Sequence, residues 1–246
     1  VHEARDRDLR DIRFSDSQIA EIRYASLLHD FGKIGVPEST LQKEEKLSPL
    51  KKEQIRSRFN EFRSAAEVRV LREYLQDLLR ERRAPTEIEV ANLNRRIREF
   101  SAIIEKHWDL VLELSRPTVL DVDKSHRLKG LVGVKCHDCE GHLKSLIEPD
   151  EVASLSILRG SLTEEERLAI ESHVTQSFEF LRKIPWTREL AGVPEIAYAH
   201  HERLDGTGYP RGARSAEIPV QAKIMAIADV YDALTANDRP YKPALP

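Results

Sequence analysis

Sulfur is scarce in this chain of 246 residues: two cysteines and one methionine. Two cysteines exclude a disulfide scaffold and suit a reducing cytosol, so a cytoplasmic setting is expected. No apolar run reaches the roughly 18–20 residues of a membrane span. No secretory signal opens the chain. Charge of one sign is also lacking. Lys and Arg number 39 and Asp and Glu 42, for a net charge of −3. That balance offers no generic attraction to nucleic acid or to an acidic membrane. Alternating apolar and polar runs are missing too, so no strand is expected and the chain reads as almost all α. The one methionine is Met225 and the first residue is Val1. A piece of a longer protein, trimmed at both ends, is therefore expected.

Helical periodicity is abundant. Residues 16–29 form one expected helix, with Ser15 or Asp16 as its N-cap and Gly32 and Gly35 breaking the pattern beyond it. Charged residues make up 33% of the chain, against a typical quarter. The excess marks a long solvated segment. Ile55, Phe59, Phe62, Ala66, Val70, Tyr74 and Leu78 recur at steps of three and four over residues 50–83. Ala84-Pro85 stops that run, and Thr86 with Glu89 makes a capping box for the next. Val90, Leu93, Ile97, Phe100, Ile104, His107, Val111 and Leu114 continue the spacing. An antiparallel helical hairpin over 50–115 is expected, each arm on the order of 40 Å long. Residues 116–154 are broken by Pro117, Gly130, Gly133, Gly141 and Pro149 and read as irregular. Helices resume after Thr163, before His200 and over roughly 219–236.

A faint internal echo frames the hairpin. Lys46-Leu47-Ser48 leads to Ile55 and Arg58, and Ser161-Leu162-Thr163 leads to Ile170 and His173, at the same offsets. An insertion whose entry and exit resemble each other would give this pattern, and so would chance.

Histidines and aspartates at helix ends are the chemistry-bearing feature. His29-Asp30 ends the first helix, where the negative end of the helix dipole suits a cation. His200-His201 follows the apolar run from Val193 to Ala199. Two adjacent imidazoles are an odd choice for packing, since each needs hydrogen-bond partners. Asp229 lies between Ile227 and Val230, too apolar a setting for an unpaired carboxylate. His173 alone reads as an ordinary histidine. Together these residue types hold divalent transition metals. Lys33, three residues beyond Asp30, is costly beside a cation unless an anionic substrate is expected. Cys136-His137-Asp138-Cys139, with His142 after it, is half of a zinc knuckle without a second pair; a solvent loop is the expected reading.

These pieces resemble the HD-GYP domain, a branch of the HD metal-dependent phosphohydrolases. The likeness runs through His29-Asp30-Phe31-Gly32-Lys33, then Gly160-Ser161-Leu162-Thr163 to His173. It continues with His200-His201-Glu202-Arg203 to Gly208-Tyr209-Pro210, and Ala228-Asp229-Val230 to Asp238-Arg239-Pro240-Tyr241-Lys242. It covers residues 19–50 and 155–243. The resemblance implies an all-α HD-type bundle, formed by residues 1–49 and 155–246, with residues 50–154 inserted. It implies two or three divalent ions, iron or manganese, held by His29, Asp30, His173, His200, His201 and Asp229, with Asp30 bridging. It further implies hydrolysis of cyclic di-GMP to linear pGpG or GMP. Lys33 would stand near the scissile phosphate, Arg239 and Lys242 would contact the dinucleotide, and Gly208, Tyr209 and Pro210 would form the loop beside it. A weakly active or inactive binding module, or a hydrolase of another cyclic dinucleotide, stays open. The family carries a further ligand histidine about thirty residues before the HD pair. His2 lies near that distance without the surrounding motif, so that ligand is expected upstream of this chain. An upstream sensory or regulatory domain is expected in the full-length protein, and the hairpin would serve dimerisation, receipt of a signal, or neither.

Overall fold

In the computed structural model, residues 12–235 are described. They divide into two compact units: residues up to Gln42 together with those from Glu164 onward, and Lys43–Thr163. Arg239 and Lys242, expected to touch the substrate, and His2 lie outside the described residues.

The first unit opens with helix α1, Asp16–Leu28. Ser15 and Gln18 form its capping box: the Gln18 N–H reaches Ser15 Oγ at 3.3 Å and the Ser15 N–H reaches Gln18 Oε1 at 3.0 Å. Two amides that the first turn leaves unpaired are thereby satisfied. His29 is the C-cap, and a 3₁₀ turn over Phe31–Gly35 follows. The short helix α2 spans Glu38–Leu41. Elements labelled α3 to α6 belong to the second unit. The first unit resumes with α7 (Glu164–Leu181), α8 (Val193–Tyr198) and α9 (Val220–Thr235). Ala25, Leu181, Val193, Ile196, Ala222 and Met225 form its core. Trp186 edges this core and donates its indole N–H to the Leu181 carbonyl at 2.8 Å.

The second unit is built on α3 (Pro49–Glu81) and α4 (Glu87–Ser115). Arg82 ends α3 in the left-handed conformation, and Thr86 with Glu89 caps α4 as the sequence implies. The helices run antiparallel, since Arg56 meets Glu105 and Arg83 meets Glu89. Ile55, Phe59 and Phe62 face Ile104, Val111 and Leu114 in one buried cluster, and Phe59 meets Trp108 edge to face. Toward the connecting turn the burial fades: Leu75 and Leu79 are more than half exposed. Helices α5 (Val122–Val132) and α6 (Pro149–Leu155) support the base.

One difference from the sequence expectation is a small β-hairpin. Lys135–His137 (β1) pairs antiparallel with Leu143–Ser145 (β2). Three-residue strands are too short to show an alternating pattern, and only the turn residues betray them. The architecture is otherwise all α.

Candidate metal centre

Three histidines are aimed by the same device. The Nδ1 atoms of His29, His173 and His200 lie 2.9, 2.5 and 2.6 Å from the carbonyls of Ser26, Ile170 and Ala197. Each carbonyl belongs to the residue three positions earlier. A carbonyl oxygen can only accept, so each Nδ1 carries a proton, which leaves Nε2 as the ring atom available to a metal. Those Nε2 atoms turn toward one another. Together with Asp30 Oδ1 they are buried and have no hydrogen-bond partner.

Asp30 sits at the middle of this set. Its Oδ2 lies 3.3 Å from His29 Nε2, and its Oδ1 lies 3.2 Å from His173 Nε2. The two oxygens thus face two different imidazoles. Two groups of ligand-type atoms, each within 4.8 Å of one another, share His200: one is His29, Asp30 and His200, the other His173, His200 and His201. His29 Nε2 lies 3.8 Å from Asp229 Oδ1, so the carboxylate of α9 borders the first group. Four unpartnered polar atoms converging in a buried space cost several kcal/mol unless something satisfies them. Nitrogen and oxygen lone pairs on a common point fit a divalent cation of the first transition row.

The electrostatics agree with that fit. Burial, with His173 adding to it, pushes His201 down to about 4; burial and His201 push His200 down to about 3. Both rings are therefore neutral near pH 7, the form that binds metal. Burial also opposes charge on His29, but the carboxylates of Asp229 and Asp30 reverse it and raise that ring to about 9. The field that would hold a proton there would equally hold a metal cation. Asp30 is raised by burial, but His173, His29 and Lys33 outweigh it and hold the carboxyl well below the usual range.

The turn that carries Asp30 is fastened by residues the motifs did not single out. Ser177, fully buried on α7, donates to the His29 carbonyl at 2.6 Å and accepts from the Gly32 N–H at 2.8 Å. Ser177→Ala is expected to lower stability by about 1–3 kcal/mol, because both buried backbone groups lose their partner. An unchanged urea midpoint would contradict this. Glu202, which stands in the His200-His201-Glu202-Arg203 motif without a role, supports a second segment. It is 6% exposed and accepts from the N–H groups of Arg211 and Ala213, each at 2.8 Å. It thus holds the loop of Gly208, Tyr209 and Pro210, where a Cβ on Gly208 would lie 2.3 Å from the Arg203 nitrogen. The Tyr209 ring lies 4.8 Å from that of His201. Lys33 Nζ meets Asp30 Oδ2 at 2.7 Å and keeps about two-fifths of its side chain exposed.

The cysteine pair stands apart from all of this. Cys136 is half-buried and Cys139 exposed, both as free thiols. The ligand-type group beside them is Asp138, Glu140 and His142, without either sulfur. Asp138 is already satisfied by Lys144 and by the N–H groups of Glu140 and His142.

Residues 142–246 match the HD domain family. The chain is 44% identical over 87 residues to the 3'3'-cGAMP-specific phosphodiesterase 3 of Vibrio cholerae, covering 35% of this chain and 18% of that protein. It is 45% identical over 83 residues to a cyclic di-GMP phosphodiesterase of Thermotoga maritima, covering 34% and 22%. It is 39% identical over 140 residues to the 3'3'-cGAMP-specific phosphodiesterase 1 of Vibrio cholerae, covering 56% and 29%. The matches thus span less than a third of each of these relatives. The family match begins at residue 142, so His29 and Asp30 reach the same centre from a segment outside it. The likeness to the HD domain family therefore lies in residues 142–246.

Proposed function

We propose that this chain is a metal-dependent phosphodiesterase that hydrolyses cyclic di-GMP to linear pGpG or GMP. The observation that carries the reading is Asp30, whose two oxygens face His29 and His173 separately while four buried lone-pair atoms converge unpartnered. That arrangement suits a carboxylate shared between two ions. We assign His29, Asp30, His173, His200, His201 and Asp229 as ligands, and iron or manganese as the metal, since mixed imidazole and carboxylate donors suit both. Divalent cations held there would supply the charge that polarises a phosphodiester and activates water.

The chain's own residues would do the rest. Asp30, charged throughout the physiological range, fixes the centre. The neutral rings of His200 and His201 keep their lone pairs available. Lys33 would swing from Asp30 to a phosphate oxygen once an anion arrives, since its side chain is partly exposed and its partner would then be engaged. Tyr209, over His201, closes one side. Arg239 and Lys242 would add charge toward the dinucleotide.

Hydrolysis of cyclic di-GMP with added Mn²⁺, abolished by a chelator and restored by the metal, tests the reading. Failure to turn over any cyclic dinucleotide at full metal loading would overturn it. A second reading, 3'3'-cGAMP as the substrate, is favoured by the likeness to two 3'3'-cGAMP-specific phosphodiesterases, and a side-by-side rate comparison decides it. Lys33→Ala is expected to retain metal and lose roughly 10²–10⁴ in rate, the range of a positioned proton donor or charge stabiliser. Full metal and an unchanged rate would remove Lys33 from the mechanism.

A further inference from the structure

A cavity of about 680 Å³ opens beside His200 and His201, within the size range of small-ligand sites. One wall is apolar: Ile227 and Val230 of α9 present more than half their surface to solvent. Arg167 and Glu171 of α7 and Arg203 also line the cavity. Arg167 and Glu171 are one helical turn apart, a spacing at which such residues often pair. Among the described residues, neither they nor Arg203 form an ion pair. Glu171 is half-buried. It lines the same cavity as Tyr209.

A half-buried carboxylate with no partner, lining a cavity together with apolar surface and two cations, is unusual in a site for an anion. It repels phosphate. It suits a ligand that also presents adjacent N–H donors. Guanine does so: N1–H and the exocyclic amine lie side by side and match the two oxygens of one carboxylate. Adenine presents a lone pair at N1, which a carboxylate repels.

We propose that Glu171 is the specificity-determining residue of this site, accepting from N1–H and the amine of one guanine. Ile227 and Val230 cover the base, and Arg167 and Arg203 take the phosphate remote from the metal centre. The ligand class rests on the phosphodiesterase reading above; the role of Glu171 within it is new. A site built to hydrogen-bond one edge rejects the analogue that lacks it more strongly than an apolar pocket can.

The test is the affinity of the metal-loaded chain for cyclic di-GMP and for cyclic di-AMP by calorimetry, with turnover recorded in parallel. Wild type is expected to prefer the guanine ligand. Glu171→Gln is expected to cut that preference by about ten- to a hundredfold, the worth of a bidentate base contact. Glu171→Asp, which keeps the charge with a shorter reach, is expected to retain part of it. An unchanged preference in Glu171→Gln would overturn the role of Glu171 and leave the phosphodiesterase reading standing. Binding with the expected preferences but no turnover would overturn that reading alone. Binding of neither ligand by wild type would overturn both.

Discussion

Asp30→Ala is expected to abolish turnover of cyclic di-GMP and to strip most of the bound metal. The reason lies in geometry. Asp30 Oδ1 and Oδ2 each stand within about van der Waals range of a different imidazole, at 3.2 and 3.3 Å. No other described carboxylate has that central place: Asp229 touches only the His29 side, at 3.8 Å. Partners that merely orient a metal ligand are worth about 10–100-fold in metal affinity. A carboxylate shared by two ions is expected to be worth more. Losing it also frees Lys33 from its ion pair at 2.7 Å, leaving an uncompensated cation beside a weakened site. Elemental analysis and turnover of the purified variant check both halves. Full metal content together with wild-type rate in Asp30→Ala would contradict the proposed centre.

Gly32→Ala is expected to damage fold and site together. A Cβ there would lie 2.1 Å from the His173 carbonyl oxygen and 2.8 Å from the Ser177 nitrogen. Both are backbone atoms of α7 and cannot rotate away. Relief requires the helix or the turn to shift, and the turn carries Asp30 while the helix carries His173. Overpacking of this kind costs typically 1–3 kcal/mol and sometimes more. Here the displacement also separates Asp30 Oδ1 from His173 Nε2. The expected result is a lower urea midpoint and weaker metal retention. Gly130→Ala supplies the internal comparison: it lies inside α5 with nothing within 4 Å of the added carbon. That change is expected to be neutral or to stabilise by about 0.5–1 kcal/mol, since helical glycine is costly. Equal stability of Gly32→Ala and wild type would mean the close approach of turn and helix is not needed.

His29 and His200 were legible in the sequence because helix ends are, and each follows an apolar helical run. His173 lies in the middle of α7 after a charged stretch and was legible only through the family resemblance. In all three the carbonyl three residues back aims the ring. The hairpin over α3 and α4 was legible for a similar reason: a buried seam repeats every three to four residues, and a capping box is local. Ser177, the support given by Glu202 and the role proposed for Glu171 were not legible. The first two act on backbone groups, and Ser177 reaches a turn almost 150 positions earlier in the chain; no spacing rule connects it to Gly32. Glu171 sits on a charged helix face where a glutamate is ordinary, and only the cavity next to it sets it apart. The β-hairpin of Lys135–His137 and Leu143–Ser145 escaped because its strands are shorter than the window in which alternation is visible. The internal echo between Leu47 and Leu162 has a partial physical reading. Arg58 at the first copy forms an ion pair with buried Glu151 at 2.6 Å, whereas His173 at the same offset faces Asp30. The same cap-and-helix start therefore serves packing once and the candidate centre once.

The central claim is that these side chains hold two divalent ions around Asp30. Anomalous scattering from crystals of the chain loaded with Mn²⁺ tests it most directly. The account predicts at least two peaks, one against Asp30 and His29 and one against Asp30 and His173, at coordination distance from the Nε2 atoms that now lack partners. An empty centre at saturating Mn²⁺, with the ions found only at exposed carboxylates such as Glu140, would contradict it.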